Sequence, residues 1–373
     1  CLNEAETVER CVLEARSALE RAGLDGEVVV ADNGSADGSR GLAERAGARV
    51  VSVARRGYGA ALAGGFAAAR GRYVVMGDAD LSYDFRAVPQ FVKALDSGAD
   101  LVMGSRLRGK IEPGAMPPLH RWLGNPLLSG AGRLLFRTNV SDFHCGLRAF
   151  RREALEKLDL RTTGMEYASE MVVKAALFGL AIAEIPVTLR KDGRTRPPHL
   201  RTWRDGWRHL RFLLLYSPRW LFLAPGVALV LLGAALILWL LPGPREALGA
   251  RWDVHTILAG AAMVLVGTQA IFFGVCAKIF GITEGLLPKD PLLEPLFDRW
   301  VTLETGLAAS AAALVAGAFL VGHVLAGWKA AGFHDLAYGE TMRWMIPGVL
   351  FLVLGAEGAF GSFLLSLLGV RRR

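Results

Sequence analysis

GRYVVMGDADLSYD, residues 71–84, decides how the N-terminal half is read. The strand formers Tyr73 to Met76 lead through a glycine into two aspartates one residue apart, Asp78 and Asp80. A short apolar run bounded by turn residues reads as a buried strand, and the acidic turn falls at its carboxyl end. The arrangement recurs on both sides. Upstream, Val8, Val12, Ala15 and Leu19 lie at helical spacing, EVVVAD (27–32) reads as a strand ending in Asp32-Asn33-Gly34-Ser35, and a helical stretch (38–47) precedes strand-like VVSV (50–53). A small-residue helix (57–70) leads into the quoted segment; downstream, a helix (86–97) precedes DLVMGSR (100–106), and a further helix (165–178) precedes AIAEIPVTLR (181–190). Alternating β and α units of this length predict a mostly parallel sheet with ligands bound beyond the carboxyl ends of its strands. The clusters at Asp32, Asp78-Ala79-Asp80 and Ser105-Arg106 fall there.

The chain has 373 residues, 52% apolar and 21% charged, which excludes a disordered chain and a small disulfide scaffold. Residues 1–185 carry 24 Lys and Arg against 23 Asp and Glu, residues 186–219 carry 9 against 2, and residues 220–373 carry 10 against 10. The net charge of +8 therefore sits almost wholly in one short collar. A nucleic-acid binder spreads its basic surface over a folded domain, so nucleic acid is set aside in favour of anionic headgroups or phosphorylated substrates. Cys1, Cys11, Cys145 and Cys276 show neither C-x-x-C spacing nor a paired framework, as suits reduced thiols.

Within the collar, Arg201, Arg204, Arg208 and Arg211 recur at i, i+3, i+7 and i+10, while Trp203, Trp207, Leu210 and Leu214 share another face. That pattern predicts an amphipathic helix lying in a membrane interface; the alternative packs its Trp pair on the domain. Four apolar stretches follow, at 220–241, 254–277, 305–328 and 344–370, each meeting the roughly 20 residues that span a bilayer. Basic residues near their ends predict a cytoplasmic N-terminal domain and a cytoplasmic C-terminal tail. The sequon at Asn139 then carries no meaning. Glu357, inside the last stretch, is costly in hydrocarbon and is either functional or a partner of His323. Abundant Gly and Ala in the stretches favour close helix packing and allow a homo-oligomer. Three regions follow: a nucleotide-sugar transferase domain at 1–198, an interfacial helix at 199–219 and a four-span domain at 220–373.

Asp78 and Asp80 point toward one edge, where their carboxylates can hold Mg2+ or Mn2+ bridging diphosphate oxygens; helix capping is the alternative. Taken with Asn3-Glu4, VVVADNGSADGS (28–39), GDADLSYD (77–84), GSR (104–106) and DFHCGLRAF (142–150), the chain resembles the family 2 glycosyltransferases of GT-A fold, in particular the polyprenyl-phosphate or dolichyl-phosphate hexose synthases. The resemblance covers about residues 1–215. It implies that Glu4, Asp32 and Asn33 contact the nucleoside, that Asp78 supports the nucleotide, and that Asp80 binds the metal. Ser82, a candidate for the metal shell beside Asp78 and Asp80, stands where many relatives have Gln, and Asp84 is read as a helix cap. Arg106 resembles an arginine that meets acceptor phosphate, with Arg133 or Arg148 as a second contact. Asp142 is the candidate for organising sugar hydroxyls. Glu166 and Glu170, four apart on one helix face, are candidates for reaching the sugar. In the family a strand precedes the Asn-Glu turn, so one is expected before Cys1.

The implied reaction is an inverting displacement at the anomeric carbon by a phosphate oxygen, which is ionised near neutral pH and needs no protein nucleophile. His120, His144 and His199 sit in no nucleophile-activating motif, and His144 and His199 are read as structural or phosphate-facing. The donor is expected to be UDP-glucose ahead of GDP-mannose, the acceptor a polyprenyl or dolichyl phosphate held in the membrane, with loop 109–135 dipping toward the lipid. A processive polysaccharide synthase is disfavoured because LHRW (119–122) and FDRW (297–300) lack the Gln of Q-x-x-R-W. A transporter or flippase subunit with a nucleotide-sensing domain is the alternative of another class.

Overall fold

The computed structural model describes residues 1–195, 201–289 and 302–369. His199, the FDRW string and the basic tail at 371–373 lie outside the described residues. Contacts divide the chain into two compact units, Cys1–Tyr216 and Ser217–Arg373.

In the first unit α1 (Val8–Arg21), β1 (Val29–Asp32), α2 (Ser39–Arg45), β2 (Arg49–Ser52), α3 (Tyr58–Ala68), β3 (Tyr73–Met76), α4 (Val88–Asp96) and β4 (Leu101–Ile111) follow the β/α alternation. α5 (Asn125–Phe136), β5 (Arg148–Arg151), α6 (Arg152–Lys157), α7 (Tyr167–Leu177), β6 (Ile182–Leu189) and α8 (Thr202–Leu215) complete it. β1 and β2 pair in parallel, Val29 with Arg49 through Asp32 with Ser52. The remaining strands form a second sheet in the order β3-β5-β4-β6, with β5 antiparallel to both neighbours and β4 parallel to β6. Antiparallel β5 is the one strand that the β/α rhythm does not announce. Its core faces are Phe150, in the cluster with Leu101, Met103, Phe143 and Met171, and Ala149, among Phe91, Leu95, Val102 and Leu147.

β1 and β3 belong to separate sheets, and one cavity is lined by residues of both strands and of the loops at their carboxyl ends. Cys1 lies beside β1, its amino group donating to Ala31 O at 2.8 Å and its carbonyl accepting from Asn33 N at 2.9 Å. Between the strands the cavity wall is apolar, with Val8, Val12, Val30, Val74 and Met76. Beyond the strand ends it is polar, with Asp78, Asp80, Arg106, His144 and Arg194.

In the second unit α9 (Ala224–Leu240), the hairpin β7 (Arg245–Ala247) and β8 (Ala250–Trp252), α10 (Val254–Thr283), α11 (Leu303–Ala330) and α12 (Tyr338–Gly369) follow. Four helices, Arg219–Leu240, Val254–Thr283, Leu303–Ala330 and Tyr338–Leu368, are long and apolar enough to cross a membrane. Glycine lets α9 and α10 touch through their backbones: a Cβ on Gly226, Gly233, Gly260 or Gly267 would come within 3.0 Å of the opposite helix's carbonyl oxygen. Replacing Gly233 and Gly260 together by Val is expected to lower stability by about 1–3 kcal/mol per site through overpacking, read as a lower unfolding midpoint in detergent. An unchanged midpoint would mean that the two helices can separate at no cost. Glu357 does not pair with His323. The His323 ring packs edge-on against Trp344 with centroids 5.8 Å apart, and Glu357 Oε2 is buried with no hydrogen-bond partner among the described residues.

Candidate active site

The polar end of the cavity is assembled from loops that leave the strand ends. After β1, Asp32 turns back to accept from Gly34 N at 3.1 Å and Ser35 N at 3.2 Å, closing a turn in which Gly34 takes a φ of +90°. Asn33 is spent on structure. Its amide donates to Val53 O at 3.0 Å and Arg55 O at 2.7 Å and accepts from Gly57 N at 2.8 Å, fixing the loop that starts α3. After β3, Asp80 Oδ1 accepts from Ser82 N at 3.0 Å and Ser82 Oγ at 2.5 Å across Leu81, whose φ of +66° is unusual for a leucine. The Ser82 hydroxyl thus backs the Asp80 carboxylate. Asp84 caps the turn before α4, accepting from Arg86 N at 3.0 Å, as a cap should.

Asp78 and Asp80 do come together. Burial, reinforced by the Asp80 carboxylate, pushes Asp78 up to about 6, while Arg194 and the Tyr58 hydroxyl, which donates to it, pull the other way. Gly146 is pressed against this carboxylate: a Cβ there would lie 2.6 Å from Asp78 Oδ2. Arg194, from the loop after β6, bridges the acidic groups, donating to Glu4 Oε2 at 3.0 Å and to Asp80 Oδ2. That loop is pinned by Gly193 N to Asp80 O at 2.9 Å and Arg190 N to Ser82 O at 2.8 Å. Two carboxylates crowded enough to raise a pKa, with a guanidinium on one of them, are a donor set that suits a hard divalent cation. Among the described residues no group of three or more His, Cys, Asp or Glu could hold a metal, so such an ion would complete its shell with water and substrate oxygens.

Arg106, at the bend of β4, lines the same cavity. It is held in a bidentate fork by Asp142, Nε to Oδ2 at 2.7 Å and the second nitrogen to Oδ1 at 2.8 Å, with Arg106 N adding a third bond at 3.1 Å. Both side chains are buried, and Asp142 is fully covered and absent from the cavity wall. Its carboxyl, despite burial, stays below the usual range because Arg106 stands against it. Asp142 therefore holds Arg106 in place and does not itself line the cavity. Arg148 is an interior residue: its guanidinium donates to the carbonyls of Cys145 at 2.8 Å, Ala168 at 2.5 Å and Phe143 at 2.8 Å. It offers no second phosphate contact, and Arg133 is exposed on α5, outside the cavity wall.

The two glutamates of α7 part company. Glu170 is fully buried, accepting from Arg161 N, from Thr162 N at 2.8 Å and from Thr162 Oγ1 at 2.7 Å, with Lys174 Nζ 3.0 Å away. It braces the loop before α7 and is not free for substrate. Glu166 keeps Oε2 buried without a hydrogen-bond partner among the described residues.

α8 buries Asp205, His209, Phe212 and Leu213, one face at helical spacing, and turns Trp203 (80% exposed) and Trp207 (58% exposed) outward. The Trp pair therefore does not pack on the domain. Arg201, Arg204 and Arg211 are exposed and Arg208 is half-buried; Arg204 and Arg208 lie 3.5 and 3.6 Å from Asp205 Oδ1, and Arg201 N donates to Asp205 Oδ2 at 2.8 Å. The turn before α5 and α5 itself expose Trp122, Leu123 and Leu127, and His120 Nε2 meets Thr202 Oγ1 of α8 at 3.0 Å. Leu123, Leu127, Trp203 and Trp207 all line the cavity, so its rim is apolar and open.

Sequence reasoning overlooked Arg194, Tyr58 and His209. Each lies far along the chain from the acidic motif it joins, and only the basic spacing around Arg194 carried any signal.

Residues 1–159 match the family described as glycosyl transferase family 2, and residues 275–369 match the glycosyltransferase family 2 C-terminal transmembrane region. The low-salt glycan biosynthesis hexosyltransferase Agl6 of Haloferax volcanii is 37% identical over 369 residues, covering 99% of this chain and 87% of that protein. The dolichyl-phosphate hexose transferase of the same organism is 34% identical over 172 residues, 46% of this chain and 73% of that protein. Among solved structures, glucosyl-3-phosphoglycerate synthase from Mycobacterium tuberculosis in complex with Mn2+, UDP and glucosyl-3-phosphoglycerate is similar at 25% identity, covering 58% of this chain and 77% of that chain, with a TM-score of 0.46.

Proposed function

This chain belongs to the family 2 glycosyltransferases and is a multi-pass membrane protein, and from that we propose that it moves a hexose from a nucleotide sugar to the phosphate of a polyprenyl or dolichyl phosphate. The observation that carries the reading is one cavity with the paired carboxylates Asp78 and Asp80 at its polar end, Arg106 on its wall and an exposed Trp and Leu rim. A nucleotide diphosphate, a phosphate and a lipid each find the chemistry they need.

Asp78 and Asp80 would hold Mg2+ or Mn2+, which supplies charge neutralisation to the leaving diphosphate. Arg194, which donates to Glu4 and Asp80 at the polar end of the cavity, would be placed to meet the donor's phosphates. Arg106, aimed by Asp142, receives the acceptor phosphate. Residues 142–146 tie these two ends together: Asp142 holds Arg106, Gly146 abuts Asp78, and four residue steps span at most about 14 Å. The acceptor oxygen attacks the anomeric carbon as the bond to the diphosphate breaks, inverting the centre; the oxygen is already ionised, so no residue removes a proton. We favour UDP-glucose over GDP-mannose and a cytoplasmic catalytic domain.

The test is transfer of labelled sugar from UDP-glucose and, separately, GDP-mannose into organic-extractable lipid, with polyprenyl phosphate and Mg2+ or Mn2+ supplied. Product from neither donor, nor from other nucleotide sugars, sinks the reading. The rim gives a second prediction. Trp203→Ser with Trp207→Ser is expected to raise KM about tenfold or more for long-chain acceptor in vesicles, each lost aromatic contributing on the order of 1 kcal/mol, and to leave KM for a short water-soluble isoprenyl phosphate unchanged. Equal effects on both acceptors would remove the rim from lipid docking.

A further inference from the structure

Behind the cavity wall beside Arg106 lies a cluster of buried polar groups that the steps above do not use. His144 is buried with neither Nδ1 nor Nε2 hydrogen bonded among the described residues. Its ring meets His209 of α8 edge-on, centroids 4.5 Å apart, and His209 Nδ1 is paired with Ser169 Oγ at 2.8 Å. Glu166 Oε2, also buried and without a partner among the described residues, sits immediately behind Gly164, whose Cβ would lie 2.5 Å from it. His144, His209 and Gly164 all line the cavity. Buried polar atoms are satisfied in more than nine cases in ten, so unpartnered nitrogens on the wall and an unpartnered carboxylate oxygen behind Gly164 point to a ligand that completes them.

The position of the cluster says which part of the substrate arrives. His144 stands two residues from Asp142, which holds Arg106, and two residues from Gly146, which abuts Asp78. Its Cα therefore lies within about 7 Å of those of Asp142 and Gly146. The chemistry agrees. Burial, with His209, Arg106 and Arg148 adding to it, pushes the His144 imidazole well below its usual range, so it is a neutral group with one donor and one acceptor. A neutral imidazole packed on His209, which itself faces the carboxylates of Asp205 and Glu166, is a poor place for an anion and a good one for adjacent hydroxyls.

We propose that His144 and Glu166 read the hydroxyls of the transferred sugar and set which hexose is accepted. This rests on the reading of the chain as a hexosyltransferase. Glu166 accepts from one hydroxyl, and His144 accepts from and donates to its neighbours. The roles expected from sequence change accordingly: sugar recognition passes from Asp142 and Glu170 to Glu166 and His144, and His144 is not phosphate-facing.

The experiment compares the full-length protein with His144→Leu and Glu166→Gln, measuring kcat/KM for UDP-glucose and UDP-galactose, which differ at one hydroxyl, and for GDP-mannose and GDP-glucose. Binding of UDP and GDP alone is measured alongside. The wild type is expected to prefer one hexose of its pair by about 100-fold or more, and each variant to shrink that ratio about tenfold or more, with nucleotide affinity and unfolding midpoint unchanged. Loss of an unpartnered buried imidazole should not destabilise the fold, so a merely structural His144 would instead lower the midpoint and keep the ratio. Selectivity unchanged in both variants overturns this inference alone. A wild type that transfers no hexose from any of the four donors overturns the functional reading, and this one with it.

Discussion

Asp80→Asn is expected to lower kcat/KM for hexose transfer by about 10³-fold, or roughly 4 kcal/mol of transition-state stabilisation, with the protein still folded. The substitution keeps the size of the side chain and its acceptor for Ser82 N and Oγ, so the turn at Leu81 survives. What it removes is half of the paired negative charge that would hold a cation against the departing diphosphate, at the moment when charge develops there. Chelation of divalent ions should reproduce the loss in the wild type, and added Mg2+ or Mn2+ should restore the wild type only. Labelled lipid product and a thermal melt, measured on the same preparation, check the two halves of the expectation. Near-normal transfer by the variant would move the cation, and the leaving group with it, away from Asp80.

Asp142→Ala should damage stability more than any other single change at the site. Arg106 would be left as a buried guanidinium without its fork, a loss of about 3–5 kcal/mol by analogy with other broken buried pairs. For a unit of this size that corresponds to a fall in the unfolding midpoint of the first unit of roughly 10 °C. Removing both charges is different, because a buried pair often costs as much to desolvate as it returns. Arg106→Met with Asp142→Leu is therefore expected to recover most of the midpoint while transfer stays at least about 10²-fold down, since nothing then meets the acceptor phosphate. Recovery of activity in the double variant would show Arg106 to be a structural residue only.

Both predictions depend on partners that the sequence does not show. Arg106 and Arg148 each stand in a motif of the resemblance, GSR and DFHCGLRAF, and look interchangeable on paper. One is forked by Asp142 on the cavity wall, and the other is sealed in the core by three carbonyl oxygens. Glu166 and Glu170 stand one turn apart on α7, yet the loop at 161–162 folds over Glu170 and leaves Glu166 behind the cavity wall. β5 went unannounced for the same reason: its two arginines, Arg148 and Arg151, are satisfied by tertiary contacts, so its sequence is not the plain apolar run of a buried strand.

By itself the sequence determined the β/α rhythm of the first unit, the acidic turn at Asp78 and Asp80, the amphipathic character of α8 and the four long apolar helices. These follow from period, length and hydrophobicity, which act between residues a few positions apart. Only the tertiary structure decided that Asp142 serves Arg106, that Arg148 and Glu170 are scaffold, that Arg194 returns to the acidic pair from 114 residues away, and that the Trp pair of α8 stays outside. Charged groups take whichever partner the packed chain brings within about 3 Å, and that choice is made by long-range contacts to which local spacing is blind.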